Sequence, residues 1–264
     1  MAAPLQVDFN ADLGESFGWW EKGADDALLR VISSANVACG FHAGDPSIMR
    51  TTITRAKEHG VALGVHPGFP DLLGFGRRHM AVSPSDVRNY VLYQIGALAA
   101  FVRVAGLDLH HVKPHGALYM QALDDAATAR AVAEAVAEYD DRLPLYTLAG
   151  SEMEAAAQRA GLRAVPEFFA DRPVRQDGSV VMFDWWEVFD ATPEVVSGRV
   201  ASLMATGEVE SLEGPPVPVT TATVCVHSDT PGAGELGLAV KAALDEAGVT
   251  ISSEIADRTE GGMT

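Results

Sequence analysis

Basic side chains are scarce in this chain: 19 Lys and Arg stand against 36 Asp and Glu, giving a formal charge of −17. A field of that sign repels phosphate backbones and anionic lipid headgroups, so neither nucleic acid nor a membrane surface is expected as a partner. Cysteine is nearly absent. Cys39 and Cys225 are the only two, both inside apolar runs, which leaves no disulfide framework or Cys-rich zinc pattern and reads as two small core residues. No run approaches the roughly 18 uninterrupted apolar residues of a membrane span. The Met-Ala-Ala-Pro start has neither a basic segment nor an apolar signal core, so the expected location is cytoplasmic. Also missing are a Gly-x-x-x-x-Gly-Lys-Ser/Thr phosphate loop, the His-Glu-x-x-His spacing of a zinc hydrolase, and any internal repeat.

What the sequence does contain is alternation. With 264 residues, 48% of them hydrophobic, it can bury a substantial core. Short apolar runs alternate with amphipathic stretches, the pattern of repeated βα units around a parallel sheet. Seven strands are expected: Val7 to Asp12, Ala35 to Phe41, Ala62 to His66, His111 to His115, Leu145 to Leu148, Ala164 to Ala170 and Thr223 to Asp229. Asp45-Pro46 and Ser83-Pro84 place a capping side chain before a proline at the first helical position. Ala-rich runs at 126–138, 152–160 and 235–247 favour helix, and Gly161 and Gly248 stop two of them. Gly207 to Thr220, with Glu-Gly-Pro-Pro-Val-Pro, reads as an exposed connection. The expected fold is thus α/β, a TIM-like (β/α) barrel of seven strands forming one domain over residues 1–250, with a frayed tail at 251–264.

The chemistry collects at strand ends. In Val7-Asp-Phe-Asn-Ala-Asp12, period-two alternation puts Asp8, Asn10 and Asp12 on one face. In such a barrel, catalytic groups occupy the carboxyl ends of the strands, which selects Asn10 and Asp12, with Glu15 in the loop beyond. The next three strands each deliver a histidine: His42 among glycines, His66, and His115 two residues after Lys113. An Asp and three His converging on one mouth suit either acid–base transfer near neutral pH or coordination of a divalent metal, with Asp12, His42 and His66 as its ligands. Lys113 can bind an anionic group or pair with Asp12. Arg77, Asp171 and Arg172, and His227 and Asp229 at the last strand end are candidates for substrate binding.

These segments resemble the LamB/YcsF family. The stretches that carry the likeness are Asn10-Ala-Asp-Leu-Gly-Glu-Ser-Phe-Gly18, Ala35-Asn-Val-Ala-Cys-Gly-Phe-His-Ala-Gly-Asp-Pro46, Gly74-Phe-Gly-Arg-Arg78, Lys113-Pro-His-Gly-Ala-Leu-Tyr119 and Cys225 to Gly232. Val65, Gly68, Phe69 and Ser228 depart from the family's pattern, as does Val181-Met-Phe-Asp-Trp-Trp186. The resemblance implies a barrel related to the glycoside hydrolase and deacetylase superfamily. It further implies ATP-coupled opening of the 5-oxoproline lactam to L-glutamate, with 5-oxoprolinase B and C subunits as partners that use the ATP. On that reading Asp12 with His42 or His66 is the base, His115 the acid, and Lys113 or Asn10 steadies negative charge. The alternatives are a stand-alone metal-dependent amidohydrolase or deacetylase and a non-catalytic substrate-binding subunit.

Overall fold

In a computed structural model that describes residues 5–254, strands and helices alternate as the sequence pattern requires. The first half runs β1 (Gln6–Leu13), α1 (Asp25–Leu28), β2 (Ser34–Ala38), α2 (Pro46–His59), β3 (Ala62–His66), α3 (Pro84–Val104), β4 (Leu109–Val112), α4 (Gly116–Asp124) and α5 (Ala126–Tyr139). The second runs β5 (Leu145–Thr147), α6 (Glu152–Arg159), β6 (Ala164–Phe169), α7 (Pro193–Thr206), β7 (Glu208–Val209), β8 (Val217–Pro218), β9 (Thr223–Val226), α8 (Ala233–Glu246) and β10 (Thr250–Ile251).

Seven parallel strands close the barrel in the order β1-β2-β3-β4-β5-β6-β9, with β9 returning to β1. Outward residues in register, such as Phe9 with Val224 and Val37 with Val65, pack under the helices. Inward residues are mostly polar. Asp8 pairs with Thr223, Asn10 with Cys225 and Asp12 with Asn36, where such a barrel ordinarily holds bulky aliphatics.

Both proline-led helices start as expected. Asp45 accepts from the amides of Ser47 and Ile48 at 2.7 and 3.1 Å, and Ser83 accepts from the Asp86 amide at 3.2 Å. Three expectations shift. β2 and β4 end at Ala38 and Val112, so His42, Lys113 and His115 lie in the loops beyond them. The segment 207–220 contains the antiparallel β7–β8 hairpin, because Val209 and Val217 are buried and bring the strands together around the proline-rich tip. Thr250 and Ile251 pair with Gln6 and Val7, and the Ser252 amide reaches the Val7 carbonyl at 3.1 Å. The rest of the expected tail, 255–264, lies outside the described residues.

Candidate active site at the barrel mouth

β1 positions the first group. Asp12 sits at its upper end, 2% exposed, with Oδ1 accepting from Asn36 Nδ2 at 2.9 Å and from Lys113 Nζ at 3.1 Å. Burial alone would raise this carboxyl, but His66 and Lys113 outweigh it and hold Asp12 well below the usual carboxylate range. Lys113 is equally enclosed. Its ammonium reaches Glu167 at 2.9 Å, Cys225 Sγ at 2.9 Å and Asn10 Oδ1 at 3.2 Å. Burial works against its charge, yet Asp12, Cys225 and Glu167 keep it well above its ordinary value. Cys225 is therefore more than a core filler: its sulfur faces the buried cation, while Cys39, pushed up to about 12 by burial, is inert.

The three histidines meet beside this pair. His66 Nδ1 lies 2.7 Å from the Lys113 carbonyl, and His115 Nε2 lies 2.8 Å from the Phe75 carbonyl. The His42 and His115 rings stack with centroids 3.8 Å apart. That stack depends on glycine. A Cβ on Gly76, which has φ +64°, would lie 2.7 Å from His42 Cβ and 2.8 Å from His115 Cδ2. Burial, reinforced by neighbouring imidazoles, holds His42 and His115 well below the ordinary histidine value. Glu15 closes the group, with Oε1 3.4 Å from His115 Nδ1 and 3.7 Å from His42 Nε2. Burial and then the charges of Asp12 and Asp229 push its carboxyl well above the usual range.

His227 completes the opposite wall. Its Nδ1 lies 2.9 Å from Asp171 Oδ1, which leaves Nε2 directed at Asp12 Oδ2, 3.8 Å away. Asp171 is held low: burial would raise it, but Arg172 and His227 prevail. Arg172 gives its guanidinium to Asp171 and Thr230 and lies over the Trp185 ring. Arg77 pairs with Asp229 at 2.8 Å, and Lys22 reaches Asp229 at 3.4 Å. Asp12, His66, Arg77, Lys113, His115 and His227 all border one pocket, which holds about 270 Å³ of empty space, part of it open to solvent.

The structure thus gathers every residue nominated from the sequence at one end of the barrel, at different depths. Glu15 and His42 stand behind the pocket wall, Asn10 lies one layer below, and Arg172 supports Asp171. Sequence reasoning missed Asn36, Glu167 and Tyr119, whose hydroxyl donates to Glu167 at 3.3 Å. A signal for the first was present, since Ser34 and Asn36 alternate with Ala35 and Val37 just as the acids of β1 alternate with its apolar residues.

The profile of the LamB/YcsF family matches residues 7–259. The chain is similar to the A subunit of 5-oxoprolinase from Thermus thermophilus, 48% identical over 247 residues that make up 94% of this chain and 99% of that protein. It is similar to the A subunit of 5-oxoprolinase from Heliobacterium modesticaldum, 46% identical over 249 residues, covering 94% and 98% of the two chains. The crystal structure of a lactam utilization protein from Thermus thermophilus superimposes with a TM-score of 0.89 at 47% identity, over 94% of this chain and 100% of that one.

Proposed function

Because the chain belongs to the LamB/YcsF family, we propose that it is the A subunit of an ATP-dependent 5-oxoprolinase, opening the 5-oxoproline lactam to L-glutamate as ATP becomes ADP and phosphate. The observation that carries this reading is likeness along nearly the whole length of proteins bearing that subunit's name, 94% of this chain and 99% of one of them. The lining of the pocket supports it, since Asp12, His66, His115 and His227 stand there within reach of one small molecule and suit proton transfer.

An unstrained lactam is a poor electrophile, so the reaction needs an activated carbonyl. Phosphoryl transfer from ATP to the lactam oxygen, carried out on the B and C subunits, supplies it. Asp12, ionised and turned toward the pocket, takes a proton from the attacking water, and the new C–O bond forms at the ring carbonyl carbon. Lys113 steadies the charge that develops there. His227, whose Nδ1 proton is held by Asp171, takes the proton from Asp12 at Nε2 and delivers it to the ring nitrogen as the C–N bond breaks. The resulting acyl phosphate is hydrolysed by a second water to glutamate and phosphate. Trp19, Leu73 and Trp186, at 100%, 83% and 60% exposure, stand on loops that follow β1, β3 and β6, which places an apolar rim at the mouth where a partner would dock.

The test is glutamate release from 5-oxoproline and ATP by this chain, by its partners, and by the mixture. Turnover in the mixture alone supports the reading. The clustered imidazoles favour a second one, metal-dependent amide hydrolysis by the chain alone, and turnover without ATP or partners would select it.

A further inference from the structure

The tautomers of two buried histidines are fixed by backbone carbonyls. A carbonyl oxygen only accepts, so His66 carries its proton on Nδ1, toward Lys113, and His115 on Nε2, toward Phe75. When both rings are neutral the other nitrogens, His66 Nε2 and His115 Nδ1, present lone pairs to each other across 3.0 Å, with Asp12 Oδ1 3.5 Å from His66 Nε2. Glu15 Oε1 faces the same point from 4.0 and 3.4 Å. His42 Nε2 stands 3.7 Å from that oxygen. Glu15 Oε1 and both nitrogens of His42 are buried with no hydrogen-bond partner. Four electron-pair donors therefore lie within 4.8 Å of one another, with no fixed donor among them.

A single proton bridges at most two of these atoms and leaves the rest facing one another. One cation satisfies all four. We propose that Glu15, His42, His66 and His115 hold a divalent metal of the zinc type. Bonds of about 2.0–2.2 Å in tetrahedral geometry separate neighbouring ligand atoms by roughly 3.3–3.5 Å, and the observed separations of 3.0, 3.4, 3.7 and 4.0 Å bracket that spacing. Three imidazoles and one carboxylate suit zinc and its first-row neighbours and are too poor in oxygen for calcium or magnesium. Outer contacts that orient such ligands are in place: the two carbonyls behind His66 and His115, and Ser228 Oγ donating to Glu15 Oε2 at 3.2 Å.

A second cluster, Asp12, Cys225 and His227, also brings metal-type donors together. There the Lys113 ammonium already stands 3.1 Å from Asp12 and 2.9 Å from Cys225. Its charge fills the role that a cation would play, so Asp12 is left free to act as a base. The cation site is independent of the lactam reading, and its presence is measured on this chain without partners or substrate.

The experiment is titration of the purified full chain, stripped with chelator, with Zn²⁺ by calorimetry and with Co²⁺ by visible absorption. One equivalent and the intense ligand-field bands of four-coordinate cobalt are expected. His42→Ala and Glu15→Gln should each weaken binding more than about 100-fold, beyond the 10–100-fold typical of lost outer contacts, with unchanged far-UV circular dichroism. Asp12→Asn should keep the full equivalent. A folded wild-type chain that takes up neither metal would overturn the site. So would binding that survives both Glu15→Gln and His42→Ala, or binding lost in Asp12→Asn.

Discussion

The lower and upper halves of the barrel interior hold similar residue types in opposite states. Below, every group is satisfied. Asp8 accepts from Ser33, Ser34, Tyr146 and Thr223 at 2.6, 2.8, 3.0 and 2.6 Å. Asn10 donates to Glu167 and Thr223 at 2.9 and 2.7 Å, and His111 donates to Asn36 at 2.6 Å. Above, Glu15 Oε1 and both nitrogens of His42 lack partners, and bare nitrogens oppose one another. Burial and polarity are common to both halves, so neither marks a site. The difference is satisfaction: a closed network fixes one arrangement of the core, while open valences in a rigid cage are available to a ligand or a reaction.

The sharpest way to break this contrast is Asp12→Asn. Asp12 borders the pocket while tied into the network below, so both roles are open to test. Loss of the base should cut glutamate release by the complete complex about 10²–10⁴-fold, while amide oxygen still accepts from Lys113 and the melting temperature stays close to wild type. Full activity would remove Asp12 from the chemistry. The counterpart below is Asp8→Ala, which removes the carboxylate acceptor of the Ser34, Tyr146 and Thr223 hydroxyls. Urea unfolding should show a loss of about 3 kcal/mol, with cobalt binding by the folded fraction unchanged. A smaller effect is expected from Gly64→Ala, whose Cβ would lie 2.2 Å from His111 Cε1. Displacing that ring should cost about 1–3 kcal/mol. A neutral result would mean that His111 is free to move and the lower network is looser than its distances indicate.

Much of this was legible in the sequence, for a definite reason. Inward positions of a strand repeat every second residue, so Asp8, Asn10 and Asp12 announced a polar interior, and loops after parallel strands must gather at one end, which brought His42, His66 and His115 together before any contact was visible. Contacts between strands distant in sequence were not legible. Glu167 is 157 residues from Asn10, its hydrogen-bond partner, and only barrel closure through the β6–β9–β1 pairing makes them neighbours. Strand ends were misplaced where single hydrogen bonds to the neighbouring chain continue past the regular ladder, as at Lys113 and His115, whose amides bond to the Val65 and Pro67 carbonyls beyond the end of β4. The β7–β8 hairpin was hidden because its strands are two residues each and its turn is dominated by proline.

Asp25 separates an open valence from a site. Its Oδ2 accepts from the Gly14 amide at 2.9 Å, but Oδ1 is buried without a partner, and burial raises the carboxyl to about 6 from 3.8. No imidazole shares its oxygen in either metal-type cluster, so it titrates where Glu15 would coordinate. Between the two values the folded chain holds a proton that the unfolded chain has released, and stability falls as pH rises from 3.8 to 6 and then levels. Asp25→Asn has no proton to lose. After allowance for partial solvent screening, it should gain about 1–2 kcal/mol over wild type at pH 7 relative to their difference at pH 4, read from urea midpoints at the two pH values. An equal difference at both would show that the lone oxygen is solvated and that an unpartnered buried carboxylate is no guide to function in this fold, which would weaken the case for Glu15 as well.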